Sequence, residues 1–303
     1  MSESFLSPMA AVRLPGSRLY HYIDQNGLEI PSLPELEYDS LYHEGLSSFQ
    51  DPNSGLRGFK DLTGRIVIPC RFLETDSFVG SLALVTFLDE RLGYIGHDGR
   101  CRFHIKDDMD HMGFYDDWIF DVGEAGDLHF YDKRGNVKTL EVLDCDDNGE
   151  LSEGILPVLV LGEDDDSVWK IFDVRKERLI DAAFHGINAF HEGLVAVMNE
   201  DEAWGFADRD GNIIIDYQFD DATCFSEGLA AVKTNGKYGF IDTQGKQVIP
   251  FRFDDAHRFS HGLAAVSDGD KWGYIDRMGN LAIPFRYETV EDFEIQQTGE
   301  KRY

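Results

Sequence analysis

The sequence is poor in positive charge, in cysteine and in long apolar runs. Its 303 residues carry 28 Lys and Arg against 57 Asp and Glu, a formal net charge of −29. Such a field repels nucleic-acid phosphates and anionic lipid headgroups, so neither is expected as a direct ligand, and it attracts basic proteins and cations. The four cysteines, Cys70, Cys101, Cys145 and Cys224, stand far apart with no C-x-x-C pair. That spacing argues against a zinc knuckle or a small disulfide framework and suggests reduced thiols used as small apolar side chains. No run approaches the length needed to span a bilayer, and residues 1–18 lack a basic start followed by an uninterrupted apolar core. A cytoplasmic protein is expected on that ground. No G-x-S-x-G, P-loop or G-x-G-x-x-G context occurs, so no catalytic residue, cofactor or metal is assigned.

What is present is a repeat. WGFADRDGNIIIDYQFDDATCFSEGLAAV from Trp204 is followed by YGFIDTQGKQVIPFRFDDAHRFSHGLAAV from Tyr238 and WGYIDRMGNLAIPFRYETVEDF from Trp272. The glycines at 205, 239 and 273 are two steps of 34 residues, the signature of a repeat architecture. Earlier copies start at Tyr20, Arg57, Leu92, His129 and Trp169, which makes eight. A second mark, Gly-Leu before small apolar residues, recurs with glycine at 45, 80, 154, 193, 228 and 262.

Each repeat reads as short strands joined by tight turns. In the seventh, LAAV at 229–232, YGFID at 238–242, QVIP at 247–250 and FRFDDAHRF at 251–259 are strand-length and rich in aromatic or β-branched residues. The D-x-x-G link, as in Asp242 to Gly245, suits a turn in which Asp bonds its own backbone and Gly takes the left-handed position. Pro69, Pro250 and Pro284 cannot donate to a ladder and belong at a strand end, a bulge or an exposed edge. One such repeat cannot bury its aromatic face alone, so its Trp or Tyr is expected to pack on neighbouring repeats. The fold class is all-β, a tandem array of about eight short β-repeats. A propeller-like ring is favoured because four segments map onto four blade strands, and an open β-spiral or solenoid is the alternative. The expected organisation is an N-terminal segment over 1–18, a single repeat domain over 19–293 that is degenerate over 101–168, and a C-terminal tail over 294–303.

The aromatic-Gly-aromatic-Ile-Asp strand, the D-x-x-G turn, the Ile-Pro-aromatic segment and the Phe-Ser-x-Gly-Leu-Ala together resemble the bacterial WG-repeat family. The resemblance is strong from Trp169 to Phe293, fair from Tyr20 to Gly99 and weak between Cys101 and Trp169. It implies a non-enzymatic β-repeat scaffold with no general catalytic residue set to carry over.

Two metal readings compete with repeat grammar and yield to it. Asp144, Asp146, Asn148 and Gly149 open like an EF-hand loop, but position twelve is Ile155 in place of a bidentate Glu, and Asp146-Asp147 align with the repeat's own Asp-Asp. His43, His191 and His261 recur beside the Gly-Leu turn, yet Ser stands in the slot before Glu153 and Glu227, which marks a surface loop position. The pattern-breaking feature is charge. From His104 to Asp166 there are 19 Asp and Glu against 4 Lys and Arg, about half of the chain's net charge in about a fifth of its length. KDDMDHM at 106–112 and Glu163 to Asp166 read as loops added to the basic repeat. Asp107, Asp108, Asp110, Asp116, Asp117, Glu163, Asp164, Asp165 and Asp166 are therefore the expected partner-binding residues. The expected function is a non-enzymatic scaffold that engages a basic protein partner, in concrete form an immunity-type inhibitor of a cationic toxin. The alternative is a carbohydrate or envelope-ligand module that uses exposed aromatics.

Overall fold

The computed structural model describes residues 8–31, 33, 42–78, 81–104, 110–115, 118–122, 127–132, 137–141, 144–145, 152–161, 167–174, 176 and 178–294. Among these residues there are strands and no helix. The chain divides into two compact units. The first holds Met1–Asp108, Lys133–Gly135 and Arg286–Tyr303, and the second holds Met109–Asp132 and Asn136–Phe285.

Among the described residues, eight small antiparallel sheets follow one another along the chain. The first joins β1 (Met9–Arg13), β2 (His21–Asp24) and β30 (Thr289–Val290). The second is β3 (Leu46–Gln50), β4 (Arg57–Asp61) and β5 (Ile66–Phe72). The third is β6 (Glu74–Thr75), β7 (Leu82–Thr86), β8 (Leu92–Gly96) and β9 (Cys101–His104). In the fourth, β10 (Asp110–Tyr115), β11 (Trp118–Val122), β12 (Asp127–Asp132) and β13 (Val137–Glu141) follow the same order. The fifth is β14 (Asp144–Cys145), β15 (Ile155–Leu161), β16 (Ser167–Asp173) and β17 (Arg178–Phe184). The sixth is β18 (Gly186–His191), β19 (Leu194–Met198), β20 (Trp204–Asp208) and β21 (Ile213–Phe219). β22 (Asp221–Ala222), β23 (Leu229–Thr234), β24 (Lys237–Asp242) and β25 (Gln247–Phe253) form the seventh. β26 (Asp255–Ser260), β27 (Leu263–Ser267), β28 (Trp272–Asp276) and β29 (Leu281–Tyr287) form the eighth.

The four segments of the repeat are thus four strands, with one correction to their limits. QVIP and FRF form a single strand, because Pro250 lies on the outer strand of its sheet, where a missing donor costs nothing. DAHRF then opens the next sheet. Both turn types follow from local chemistry. In the D-x-x-G turns the Asp carbonyl accepts the Gly N–H, at 2.9 Å for Asp242 and Gly245, and Gly245 has φ +78°. The Asp242 carboxylate also accepts the N–H groups of Gln244 and Lys246 at 3.0 and 2.9 Å. In the Gly-Leu turn, Ser226 and Leu229 exchange both backbone bonds across Glu227 and Gly228, with φ +55° and +78°. Two left-handed residues in a two-residue loop match the twist of the strands they connect.

Asp208 shows what such a turn contributes. Burial raises its carboxyl pKa, but the Asn212 side chain and the backbone N–H groups of Asn212, Asp210 and Gly211 outweigh it and hold the group below the usual carboxylate range. A depressed folded pKa supplies stability at pH above the unfolded value, and that stability is lost as pH falls through the folded value. Asp208→Asn is therefore expected to cost about 1 kcal/mol at neutral pH, and the difference from wild type should vanish as pH falls through the depressed carboxyl pKa. Paired denaturant titrations across pH check this, and a difference that grows with acid contradicts it.

The core lies between sheets. Leu229 and Ala231 of β23 belong to the cluster that contains Phe259 and Val266, whereas Ala230 and Val232 belong to the cluster that contains Phe206 and Phe225. Both faces of this strand are covered, which explains an unbroken small-apolar run in place of polar alternation. The deepest aromatic is not the Trp of the signature but the residue two places on. Phe206, Phe240 and Phe59 are fully buried, and each meets the Phe before the next repeat's Gly-Leu turn. Ring centroids are 4.7 Å apart for Phe206 and Phe225, 4.9 Å for Phe240 and Phe259, and 4.9 Å for Phe59 and Phe78. Trp204 and Trp169 are half-buried and pack against the same inter-repeat clusters. Tyr238, in the Trp slot, is buried, and its hydroxyl donates to the Asp221 carboxylate.

Residues 9–13 form β1, which pairs with β2 through Met9 to Val12 and with β30 through Val12 and Arg13. The first and last described strands of the chain thus share a sheet. Arg71 and Arg252 each donate from Nη2 to the glycine carbonyl of the following repeat's D-x-x-G turn, Gly99 and Gly279. Arg286, in the same position of the last repeat, donates to Gly27 of the first at 2.6 Å.

Candidate functional site

Of the acidic residues expected to bind a partner, Asp107, Asp108, Asp116, Asp117, Glu163, Asp164, Asp165 and Asp166 lie outside the described residues. In sequence, 105–109 fall between β9 and β10, 116–117 between β10 and β11, and 162–166 between β15 and β16. Asp110 opens β10, so the segment 106–112 is not wholly an added loop: Asp110 pairs with Val122 and Met112 with Asp121 of β11, across a register shift. Of the calcium-loop candidate, Asp144 opens β14, and Asp146, Asn148 and Gly149 lie outside the described residues.

A second group of polar residues gathers where the Gly-Leu turns of successive repeats meet. The Glu of each turn, held with φ between +50° and +55° at Glu44, Glu153, Glu192 and Glu227, reaches the backbone of the next repeat's turn. Glu44 accepts from the Ser81 N–H at 3.0 Å, Glu153 from Glu192 at 2.6 Å, Glu192 from Gly228 at 2.8 Å and Glu227 from Gly262 at 3.1 Å. The second residue of the D-x-x-G turn, or of Gly96-His97-Asp98-Gly99 in its place, reaches back to the same place. Arg209 donates to the Glu153 carbonyl at 3.0 Å, Arg277 to the Glu227 carbonyl at 2.5 Å, and His97 Nε2 lies 3.0 Å from the Glu44 carboxylate. The acidic residue of S-E-G and H-E-G is therefore a clamp between repeats. Its recurrence at a left-handed position, where Glu has no intrinsic preference, is the signal in the sequence that points to it.

In the second unit this line of turns carries an uncommon set of side chains. Along the segment that precedes each turn, Phe190, Phe225 and Phe259 face the core, and the residues on either side of them stand on the opposite face. There the Cys224 thiol is hydrogen-bonded to His191 of the preceding repeat and to Arg258 of the following one. His191 Nδ1 in turn lies 3.4 Å from Ser152 Oγ, one repeat further back. Burial raises the thiol pKa, but the hydrogen bonds and charges of His191 and Arg258 outweigh it and hold Cys224 below the usual thiol range. Cys70 and Cys101 behave otherwise, as burial pushes both up. Cys224 thus differs from Cys70 and Cys101 in the direction of its shift. The reading of the turn histidine as a bare surface residue does not hold at His191, because His191, Cys224 and Arg258 are adjacent only once three repeats are stacked.

In the first unit, an open concavity of about 280 Å³ is bordered by His21, Glu29, Arg286 and Tyr287. Its guanidinium is already engaged, with Arg286 Nη2 bonded to the Gly27 carbonyl and the Tyr287 hydroxyl at 2.6 Å each.

Comparison with known proteins agrees with the repeat. No curated protein matches the sequence. Among solved structures, the chain is similar to the computationally designed Ika8 protein, with 11% identity, a TM-score of 0.49, and coverage of 92% of this chain and 97% of that one. It is also similar to BamB from Moraxella catarrhalis, with 12% identity, a TM-score of 0.47, and coverage of 88% and 97%. The profile of the family described as WG containing repeat matches residues 58–87, 204–238, 238–272 and 272–294. The chain thus carries WG repeats over residues 58–87 and 204–294.

Proposed function

We propose that this chain is a non-enzymatic scaffold that binds a basic protein partner through its acidic middle repeats. In its concrete form it is an immunity-type inhibitor that covers the active face of a cationic effector in a bacterial cytoplasm. The observation that supports this reading most is the concentration of 19 acidic against 4 basic residues between His104 and Asp166. The recurring aromatics, the turn glutamates and the turn arginines are engaged between repeats, so binding falls to the residues that break the pattern. A one-signed field steers an oppositely charged partner and raises the rate of encounter.

The test compares wild type with a seven-fold variant, Asn for Asp and Gln for Glu at 107, 108, 110 and 163–166, against a panel of purified basic effectors by calorimetry. Wild-type affinity is expected to weaken as salt rises, and the variant is expected to bind at least about tenfold more weakly at low salt, about 1.4 kcal/mol. Equal affinity of the two proteins overturns the acidic-face reading. Binding that needs a glycan and ignores salt supports a carbohydrate module in its place.

A further inference from the structure

The outer strands β5, β17, β21, β25 and β29 are each seven residues long and share one burial pattern from the third residue on. Pro69, Pro250 and Pro284 take the fourth position of β5, β25 and β29, so the ladder makes no use of an N–H there. A proline at an edge also denies a donor to any strand that approaches from outside. β21 lacks this guard, because Asp216 stands in the proline position. Gly205 of β20 faces the Ile215 carbonyl oxygen and the Tyr217 nitrogen, so by strand alternation the N–H and C=O groups of Ile214 and Asp216 point away from the sheet. The Asp216 carbonyl accepts the Gln218 side-chain amide at 3.4 Å, a long exposed bond that another donor can replace. Beside these groups stand Ile213 and Ile214, 37% and 51% exposed, and the exposed Asp216 carboxylate. That carboxylate has no partner among the described residues, whereas Asp181, in the same position of β17, lies 3.4 Å from Lys170 Nζ.

We propose that the outer edge of β21 is a docking site for an extended segment of a partner protein. The segment adds to the sixth sheet as a further strand, with an apolar residue beside Ile214 and a Lys or Arg beside Asp216. Backbone bonds to Ile214 and Asp216 supply the attachment, and the two side-chain pairs select the sequence. Charge identifies the occupant: an unpartnered carboxylate, on a chain of net charge −29, draws a cationic segment. A second copy of this chain fits worse, because two such chains repel each other and antiparallel pairing centred on Asp216 sets carboxylate against carboxylate. The edge belongs to the sixth sheet and contains no residue of the acidic segment 104–166, so it stands whether or not that segment binds a partner.

The experiment uses the full-length protein and a fluorescein-labelled peptide, Lys-Thr-Ile-Thr-Lys-Thr, in which a Lys stands two places from the Ile on either side, so that both strand directions are open. Fluorescence anisotropy at low salt is expected to show saturable binding that weakens as salt rises. A peptide with Glu for both Lys should bind at least about tenfold more weakly. Asp216→Pro copies the guard of β25 and β29, so the fold should accept it while affinity falls at least about tenfold. Ile214→Lys, at an exposed position, provides a second variant that repels the peptide, and circular dichroism checks that both are folded. Bound peptide is also expected to slow amide exchange at Ile214 and Asp216 and to leave the guarded strand β25 unchanged. No saturation up to about 1 mM peptide overturns the proposal, as do equal affinities of wild type and both variants, or exchange at 214 and 216 that the peptide leaves unchanged. A wild-type dimer in sedimentation that Asp216→Pro separates assigns the edge to a second copy and also overturns it.

Discussion

Phe240→Ala is expected to cost about 3–5 kcal/mol. Phe240 is fully buried on β24, and its ring meets Phe259 of the next repeat at 4.9 Å in an edge-on arrangement. The pocket around it is closed by Leu229 and Ala231 of its own sheet and by Ala256, Ala264 and Val266 of the next. These groups are small or fixed in strands, so they cannot collapse into the space a lost ring leaves, and the cavity cost adds to the lost transfer energy. Met278→Ala provides the contrast. Met278 is large and apolar but 82% exposed, and its truncation should change stability by no more than about 0.5 kcal/mol. Urea titration of both variants checks the ordering, and equal losses contradict it.

Gly239→Ala is expected to cost about 3 kcal/mol although it adds one methyl group. A Cβ at this position would stand 2.7 Å from the Ile249 carbonyl oxygen and 2.9 Å from the Phe251 N–H nitrogen. Those atoms are backbone of the adjacent strand, so no side-chain rotation relieves the contact and β25 must shift from β24. Gly58, Gly205 and Gly273 face the same carbonyl in their own repeats, at 2.5, 2.6 and 2.6 Å. The glycine of the signature is thus explained by the register shift beside the Ile-Pro step, where the outer strand crosses close over its neighbour. Gly262 is a glycine for a different reason: φ is +81° and nothing lies within 4 Å of its missing Cβ. Gly262→Asn should cost about 1 kcal/mol or less, because Asn tolerates the left-handed region. Thermal unfolding of the two variants separates crowding from conformation, and a larger loss at Gly262 contradicts this assignment.

These two residues also show how far the sequence could be read. The period of 34 residues, the D-x-x-G turns and the edge placement of Pro250 follow from local chemistry, and the structure has them. Contacts between repeats follow no local rule. Arg252 in PFRF reads as a solvent-facing charge until the next repeat's Gly279 carbonyl is beside it, and Glu227 reads as a loop acid until Gly262 is beside it. The N-terminal strand was missed for another reason. Met9-Ala10-Ala11-Val12 matches Leu229-Ala230-Ala231-Val232 position by position, but its repeat is split between the two ends of the chain, with Thr289 and Val290 completing the sheet. A scan in chain order sees half a repeat at each end. For the partner-binding residues, the sequence marks where the pattern fails and where charge gathers, whereas recognition depends on how those carboxylates are arranged in space.

The central physical claim is that the recurring aromatics bind each repeat to its neighbour. A double-mutant cycle on Phe240 and Phe259 tests it most directly, because the two rings belong to different repeats and touch one another. The single variants Phe240→Ala and Phe259→Ala and the double variant should show a coupling of about 1 kcal/mol. Losses that add to within about 0.3 kcal/mol would contradict stacking between repeats as the source of stability.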